Sequence, residues 1–142
     1  MRLNWLAILV AAVVDWLLGA VWFTAFRVPW QAGIRMSQEE LQAYTAHPNF
    51  WPYIIALLCN IVLAYVIARV LSAYGSHGLL RGISVGILIG MAAALAMVTE
   101  MAFEMRSPMF MGISAGYPLV GCIIMGIIIG VWKPKAVMAV SR

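Results

Sequence analysis

Charge is scarce in this sequence: 10% of its 142 residues are Asp, Glu, Lys or Arg, whereas 65% are hydrophobic. A water-facing surface needs about 25% charged residues, so a soluble enzyme, a nucleic-acid module and a disordered chain are all excluded. The formal charge of +4 is carried by basic residues that stand singly between apolar runs, without forming a patch for an acidic partner or nucleic acid. Cysteine is also scarce. Cys59 and Cys122 both fall inside apolar runs, which indicates neither a disulfide framework nor a zinc site. Catalytic signatures are missing too. There is no phosphate-binding Gly-Lys-Ser/Thr loop, no pair of metal-binding histidines, and no serine, histidine and acid set on one membrane face. His47 and His77 lie in opposite loops. The expectation is of no enzyme, no cofactor and no metal.

What the sequence has instead is four apolar runs: Leu3 to Phe26, Trp51 to Leu71, Ile83 to Phe103 and Met109 to Trp132. Each is near the roughly 20 residues that cross a hydrocarbon layer of about 30 Å as a helix. Pro48, Pro52 and Pro108 precede the second and fourth runs, and Ser72, Gly75, Gly78 and Pro134 follow them, in the places where helices start and stop. The runs do not alternate in polarity as strands of a membrane barrel would. The first run follows Arg2 but is longer than the apolar core of a signal peptide, contains Asp15 and ends in Trp22, Phe23 and Phe26, so it reads as a retained helix. The expected fold is all-α: a polytopic membrane protein with four transmembrane helices in an antiparallel bundle and the lipid bilayer as its surroundings.

Four crossings put both termini and the 72–82 loop on one side, with the 27–50 loop and the turn at Arg106 on the other. The first side carries Arg2, Arg69, Arg81, Lys133, Lys135 and Arg142, and the second Arg27, Arg35 and Arg106. Six against three favours cytoplasmic termini in the inner cell membrane. Trp5, Tyr74 and Trp132 then mark the inner interface, and Trp30, Trp51 and Tyr53 the outer one. In the 27–50 loop, Ser37-Gln38-Glu39-Glu40 has the form of a capping box and predicts a short amphipathic helix from Gln38 to about Ala46.

Asn4-Trp5-Leu6-Ala7-Ile8-Leu9-Val10-Ala11-Ala12, followed by Gly19-Ala20-Val21-Trp22-Phe23, resembles the start of a bacterial family of small integral membrane proteins, domain-of-unknown-function family 1761. Phe103-Glu104-Met105-Arg106-Ser107-Pro108, Ala115-Gly116-Tyr117, Met125-Gly126 and Gly130-Val131-Trp132 resemble its second half, so the likeness covers nearly the whole chain. The sequence departs from the family pattern at Asp15 and at Pro118. The resemblance implies a four-helix membrane protein without an assigned activity, and it supplies no catalytic residues.

Small residues mark the packing faces. Gly82, Gly86 and Gly90 recur every four residues on the third run, as do Gly112 with Gly116 and Gly126 with Gly130 on the fourth, and such spacing lets backbones approach closely. The partner is open at this stage: another helix of the chain, or a second copy in a homo-oligomer.

Asp15 lies about 16 Å along the first helix, near the membrane midplane. A carboxylate there costs at least about 2.5–3.5 kcal/mol, so it must face protein or water, be paired, or be protonated. No Lys or Arg stands at that depth, which favours a largely protonated carboxyl. Asn60 has a similar depth on the second helix and is expected to share a site with it. Tyr117 beside Pro118 is expected to seek a carbonyl or carboxylate with its hydroxyl. Glu100 is the second candidate for an intramembrane polar site, while Glu104 and Arg106 read as an interfacial ion pair. Met97, Met101 and Met105 recur at four-residue spacing and read as core or lipid contacts ahead of a soft-metal site. The favoured reading is a structural or interaction unit; the other is a minimal oligomeric transporter or channel with Asp15 as a proton or cation site.

Overall fold

The computed structural model describes residues 3–47, 49–75 and 77–132. Arg2, Pro48, Lys133, Pro134, Lys135 and Arg142, which enter the boundary and orientation readings, lie outside the described residues. Among the described residues six helices follow one another: α1 (Trp5–Ala25), α2 (Arg27–Ala32), α3 (Gln38–Ala46), α4 (Trp51–Ala73), α5 (Leu79–Phe103) and α6 (Pro108–Val131). Among the described residues there is no strand. Four of the helices, α1, α4, α5 and α6, are long and apolar enough to cross a membrane.

Local chemistry accounts for the ends. Asn4 caps α1 by accepting from the Ala7 amide at 3.2 Å. Pro29 has no N–H to donate to the Ala25 carbonyl, so α1 stops there and the chain turns at Phe26 into α2. Helix α2 falls inside the segment read from sequence as loop. Its six residues, one of them proline, are too few to propagate a helix alone, and the Trp30 ring packed 5.1 Å from Phe23 holds it. Ser37 and Glu40 close the capping box of α3, with Glu40 N–H donating to Ser37 Oγ at 3.1 Å and Ser37 N–H to Glu40 Oε2 at 2.7 Å. Among the described residues the α3 backbone makes no close approach to the other helices.

Helix α5 starts at Leu79, four residues before the expected Ile83, because Arg81 and Gly82 do not interrupt it. Arg81 Nη1 donates to the Tyr74 carbonyl at 3.2 Å and so braces the turn from α4. At its other end α5 closes with a Schellman pair, Arg106 N–H to Met101 O and Met105 N–H to Ala102 O, both 3.0 Å. The position between them requires a left-handed residue, and Met105 occupies it with φ 54°. Glycine adopts that conformation freely, whereas a side chain costs about 1–2 kcal/mol. Met105 is 86% exposed, so its side chain offers little packing in return. Met105→Gly is therefore expected to raise stability by about 0.5–1 kcal/mol after the entropy loss of glycine. Thermal unfolding in detergent checks this, and a lower midpoint for the variant would contradict it.

Helix α6 is the hub. Of its most apolar window 44% is buried, against 22% for α5, and it touches α1, α2, α4 and α5. Asn4 Nδ2 reaches the Trp132 carbonyl at 3.5 Å and Trp22 Nε1 the Ile113 carbonyl at 3.0 Å, so α1 and α6 run antiparallel. Trp16 Nε1 to Tyr53 O at 3.0 Å and the stacked Trp5 and Tyr65 rings at 5.8 Å set α1 against α4 in the same sense. Helix α5 packs chiefly on α6, lightly on α4 and not on α1.

The core lies toward the end that holds the start of α1 and the finish of α6. Ile8, Ala11 and Ala12 meet Ala64, Ile67, Ala68 and Leu71 of α4, together with Cys122, Met125 and Ile129 of α6. The outward faces keep large apolar side chains such as Leu9, Leu17, Leu58, Val62 and Leu88 exposed, the surface expected against lipid tails.

The glycines of α5 are turned toward α6 in the same chain. A Cβ on Gly82 would collide with the Gly126 carbonyl, one on Gly86 would stand 2.5 Å from the Cys122 carbonyl oxygen, and one on Gly90 would stand 2.9 Å from Leu119 Cα. Gly130 fits against Gly78 and Gly82. Gly116 instead faces the Trp22 ring. Gly112 joins no packing face within the chain: a Cβ there would meet nothing within 4 Å, because the residue is exposed on the outward side of α6.

Candidate functional site

Three helices bring one polar side chain each to the middle of the bundle. Asp15 stands ten residues into α1, and Asn60 and Tyr117 each nine residues into α4 and α6, so antiparallel and parallel packing place all three at one depth. Asp15 is 2% exposed and Asn60 7%. The Tyr117 hydroxyl sits between them. It lies 3.3 Å from Asp15 Oδ2 and 3.2 Å from the Asp15 main-chain oxygen, and it accepts from Asn60 Nδ2 at 3.4 Å. Asp15 and Asn60 thus meet through Tyr117 and not by a direct amide-to-carboxyl bond. The other carboxyl oxygen, Asp15 Oδ1, is buried without a hydrogen-bond partner.

Two glycines shape this site. The Asp15 carboxyl is pressed onto Gly121, where a Cβ would collide with Oδ1. A Cβ at Gly19 would come within 3.1 Å of the Tyr117 hydroxyl. One turn from Tyr117, Ser114 Oγ is also buried and unpartnered, and Pro118 leaves the Ser114 carbonyl without its usual helical donor.

The remaining polar groups of the helices are elsewhere. Glu100 is exposed on α5, a helix that does not touch α1, so it does not join Asp15. Ser84 and Thr99 donate to their own helix carbonyls, Leu80 O and Leu95 O, each at 2.9 Å. Met101 is buried while Met97 and Met105 are exposed, so the thioethers do not converge. Among the described residues no group of three or more His, Cys, Asp or Glu could hold a metal ion.

A second polar cluster closes the opposite end of the bundle from the core. Arg106 Nε pairs with Glu104 Oε2 at 2.8 Å, its Nη1 donates to the Gly33 carbonyl at 2.9 Å, and its guanidinium lies 5.2 Å over the Phe110 ring. Arg35 Nη2 donates to the carbonyls of Glu104 and Met105. These carbonyls end α5, where a cation complements the helix dipole. From Phe110 the rings of Trp30, Phe23 and Tyr117 follow at 6.5, 5.1 and 5.5 Å between successive centroids, an aromatic wall that leads from the surface cluster to the central hydroxyl.

A family model described as "Protein of unknown function (DUF1761)" matches residues 6–130. The chain belongs to the DUF1761 family. No curated protein and no solved structure matches it. The match spans all four long helices of this DUF1761 protein and both polar clusters, including Asp15 and Pro118. Sequence reasoning missed Gly19, Gly33, Arg35 and Gly121 as site residues. Spacing offered a faint signal for two of them: Gly19 stands four residues after Asp15 and Gly121 four after Tyr117, one helical turn in each case. For Gly33 and Arg35 there was none, since their partners lie some seventy residues away.

Chemically, the central set can hold a proton or tie three helices together.

Proposed function

We propose that this protein is a non-enzymatic structural or interaction unit of the inner cell membrane, with both termini in the cytoplasm. One observation carries this reading: the polar groups at mid-depth close on one another, whereas Ser84, Thr99 and Glu100 lie on a helix that does not reach α1. A conducting route needs polar groups in file, and their dispersal speaks against one. The glycine seam between α5 and α6 is satisfied within the chain, so a homo-oligomer would have to use other faces. The second reading, a minimal oligomeric transporter with Asp15 as a proton or cation site, is favoured by the unpartnered Asp15 Oδ1.

Reconstitution into proteoliposomes separates the two. Parent protein and Asp15→Asn are expected to show the same background flux of protons, alkali ions and organic cations. Uptake by the parent that disappears in Asp15→Asn would establish the second reading instead. Topology reporters fused at the C-terminus are expected to be active only when cytoplasmic, and an external C-terminus would reverse the assigned orientation.

A further inference from the structure

The hydrogen count around Tyr117 decides which form of Asp15 fits this site. A phenol hydroxyl donates once and accepts twice. Its neighbours are Asn60 Nδ2, which only donates, the Asp15 main-chain oxygen, which only accepts, and Asp15 Oδ2. If Oδ2 were an ionised oxygen, two acceptors would share one hydrogen and both contacts would be weakened. If Oδ2 carries a hydrogen, all three contacts are satisfied: Oδ2–H and Asn60 donate to the hydroxyl, and the hydroxyl donates to the Asp15 carbonyl.

The other oxygen leads to the same form. Oδ1 is buried, has no donor and rests on Gly121. Half of a carboxylate charge left bare in that position is costly, whereas the carbonyl oxygen of a neutral acid tolerates an unused lone pair. A metal cation would find too few ligands there. Among the described residues no group of three or more His, Cys, Asp or Glu could hold one, and the Tyr117 hydroxyl occupies the Oδ2 side. The titratable groups facing the carboxyl are Tyr117 and Cys122, both from α6; α4 contributes the neutral Asn60, and α5 does not touch α1.

We propose that Asp15 is a proton-binding site selective against metal cations, with the proton held on Oδ2 and donated to Tyr117, so that the bound proton joins α1 to α6 and α4. This goes beyond the structural reading, since it holds whether or not a proton is moved, and it excludes the metal-cation form of the second one: alkali-ion flux lost in Asp15→Asn would overturn it. Removal of the proton would draw the Tyr117 hydrogen toward Oδ2 and away from the Asp15 carbonyl, and would place a charge against Gly121, which loosens α1 from α6.

Asp15 is the sole aspartate of the chain. Cell-free synthesis with carboxyl-13C aspartate therefore labels this site alone, without any substitution. In lipid nanodiscs at neutral pH the labelled carbon is expected to show the signature of a carboxylic acid and to stay unchanged when Na+ or Mg2+ is added at fixed pH. Tyr117→Phe is expected to shift the resonance, because the acceptor for Oδ2–H is gone. A carboxylate signature in the parent at neutral pH, or a signal that responds to either ion, overturns the proposal. The parent measurement stands by itself if the variant does not fold.

Discussion

Gly86→Ala is expected to push α5 and α6 apart and to cost about 1–3 kcal/mol of stability, although alanine is the better helix former. The added Cβ would lie 2.5 Å from the Cys122 carbonyl oxygen and 2.7 Å from Ile123 Cα. Both are backbone atoms in the middle of a helix, so no side-chain rotation relieves the clash. In lipid the hydrophobic effect does not hold helices together, and their attraction comes from close van der Waals contact, which separation by even a fraction of an ångström weakens. Gly112→Ala on α6 is the matched control. Its Cβ enters open space, so helix propensity alone acts and the variant is expected to be as stable as the parent or up to about 1 kcal/mol more so. Thermal unfolding of both variants in one detergent provides the comparison. Equal midpoints for the two would mean that α5 and α6 are not joined along this seam.

The Asp15 and Gly121 pair is expected to show strong coupling in a double-mutant cycle. Gly121→Ala places a methyl group where Oδ1 lies, displacing the carboxyl from Tyr117, at a cost of about 1–3 kcal/mol. Asp15→Ala removes the clash but leaves the Tyr117 hydroxyl with only the main-chain oxygen of position 15 and Asn60, around a void, again at about 1–3 kcal/mol. In the double variant the methyl group added at position 121 fills part of the space the carboxyl left. The combined loss is therefore expected to fall short of the sum by about 0.5–3 kcal/mol. Strict additivity would show that Oδ1 does not rest on Gly121, and the Oδ1 half of the proton assignment would fail with it. Asp15→Asn, close in shape to a neutral acid, is expected to perturb stability far less than Asp15→Ala.

The aromatic wall and the arginine clasp illustrate why the opposite end of the bundle was less legible than its centre. Glu104 and Arg106 are two residues apart, and their pairing could be read from the sequence alone. Arg35 reaches the end of α5 only because α2 folds back onto α6, and α2 exists because Trp30 finds Phe23 and Phe110. A six-residue helix containing proline has no sequence signal strong enough to announce itself. Glu100 shows the complementary limit. Its depth was legible from its place in the run, but its facing was not, since an apolar helix of this kind has little polar stripe from which a rotation can be read.

By itself the sequence determined the number of crossings, the capping box of α3, the depth of Asp15 and Asn60, and the absence of a soluble surface. These follow from hydropathy, local capping chemistry and a fixed rise per residue, which act within a few turns of chain. The tertiary structure decided which faces meet: that Tyr117 stands between Asp15 and Asn60, that the α5 glycines pack on α6 of the same chain, and that Gly121 yields its missing side chain to a carboxyl. Those choices belong to the rotation of each helix about its axis, which close backbone contact sets and a nearly uniform apolar sequence leaves free.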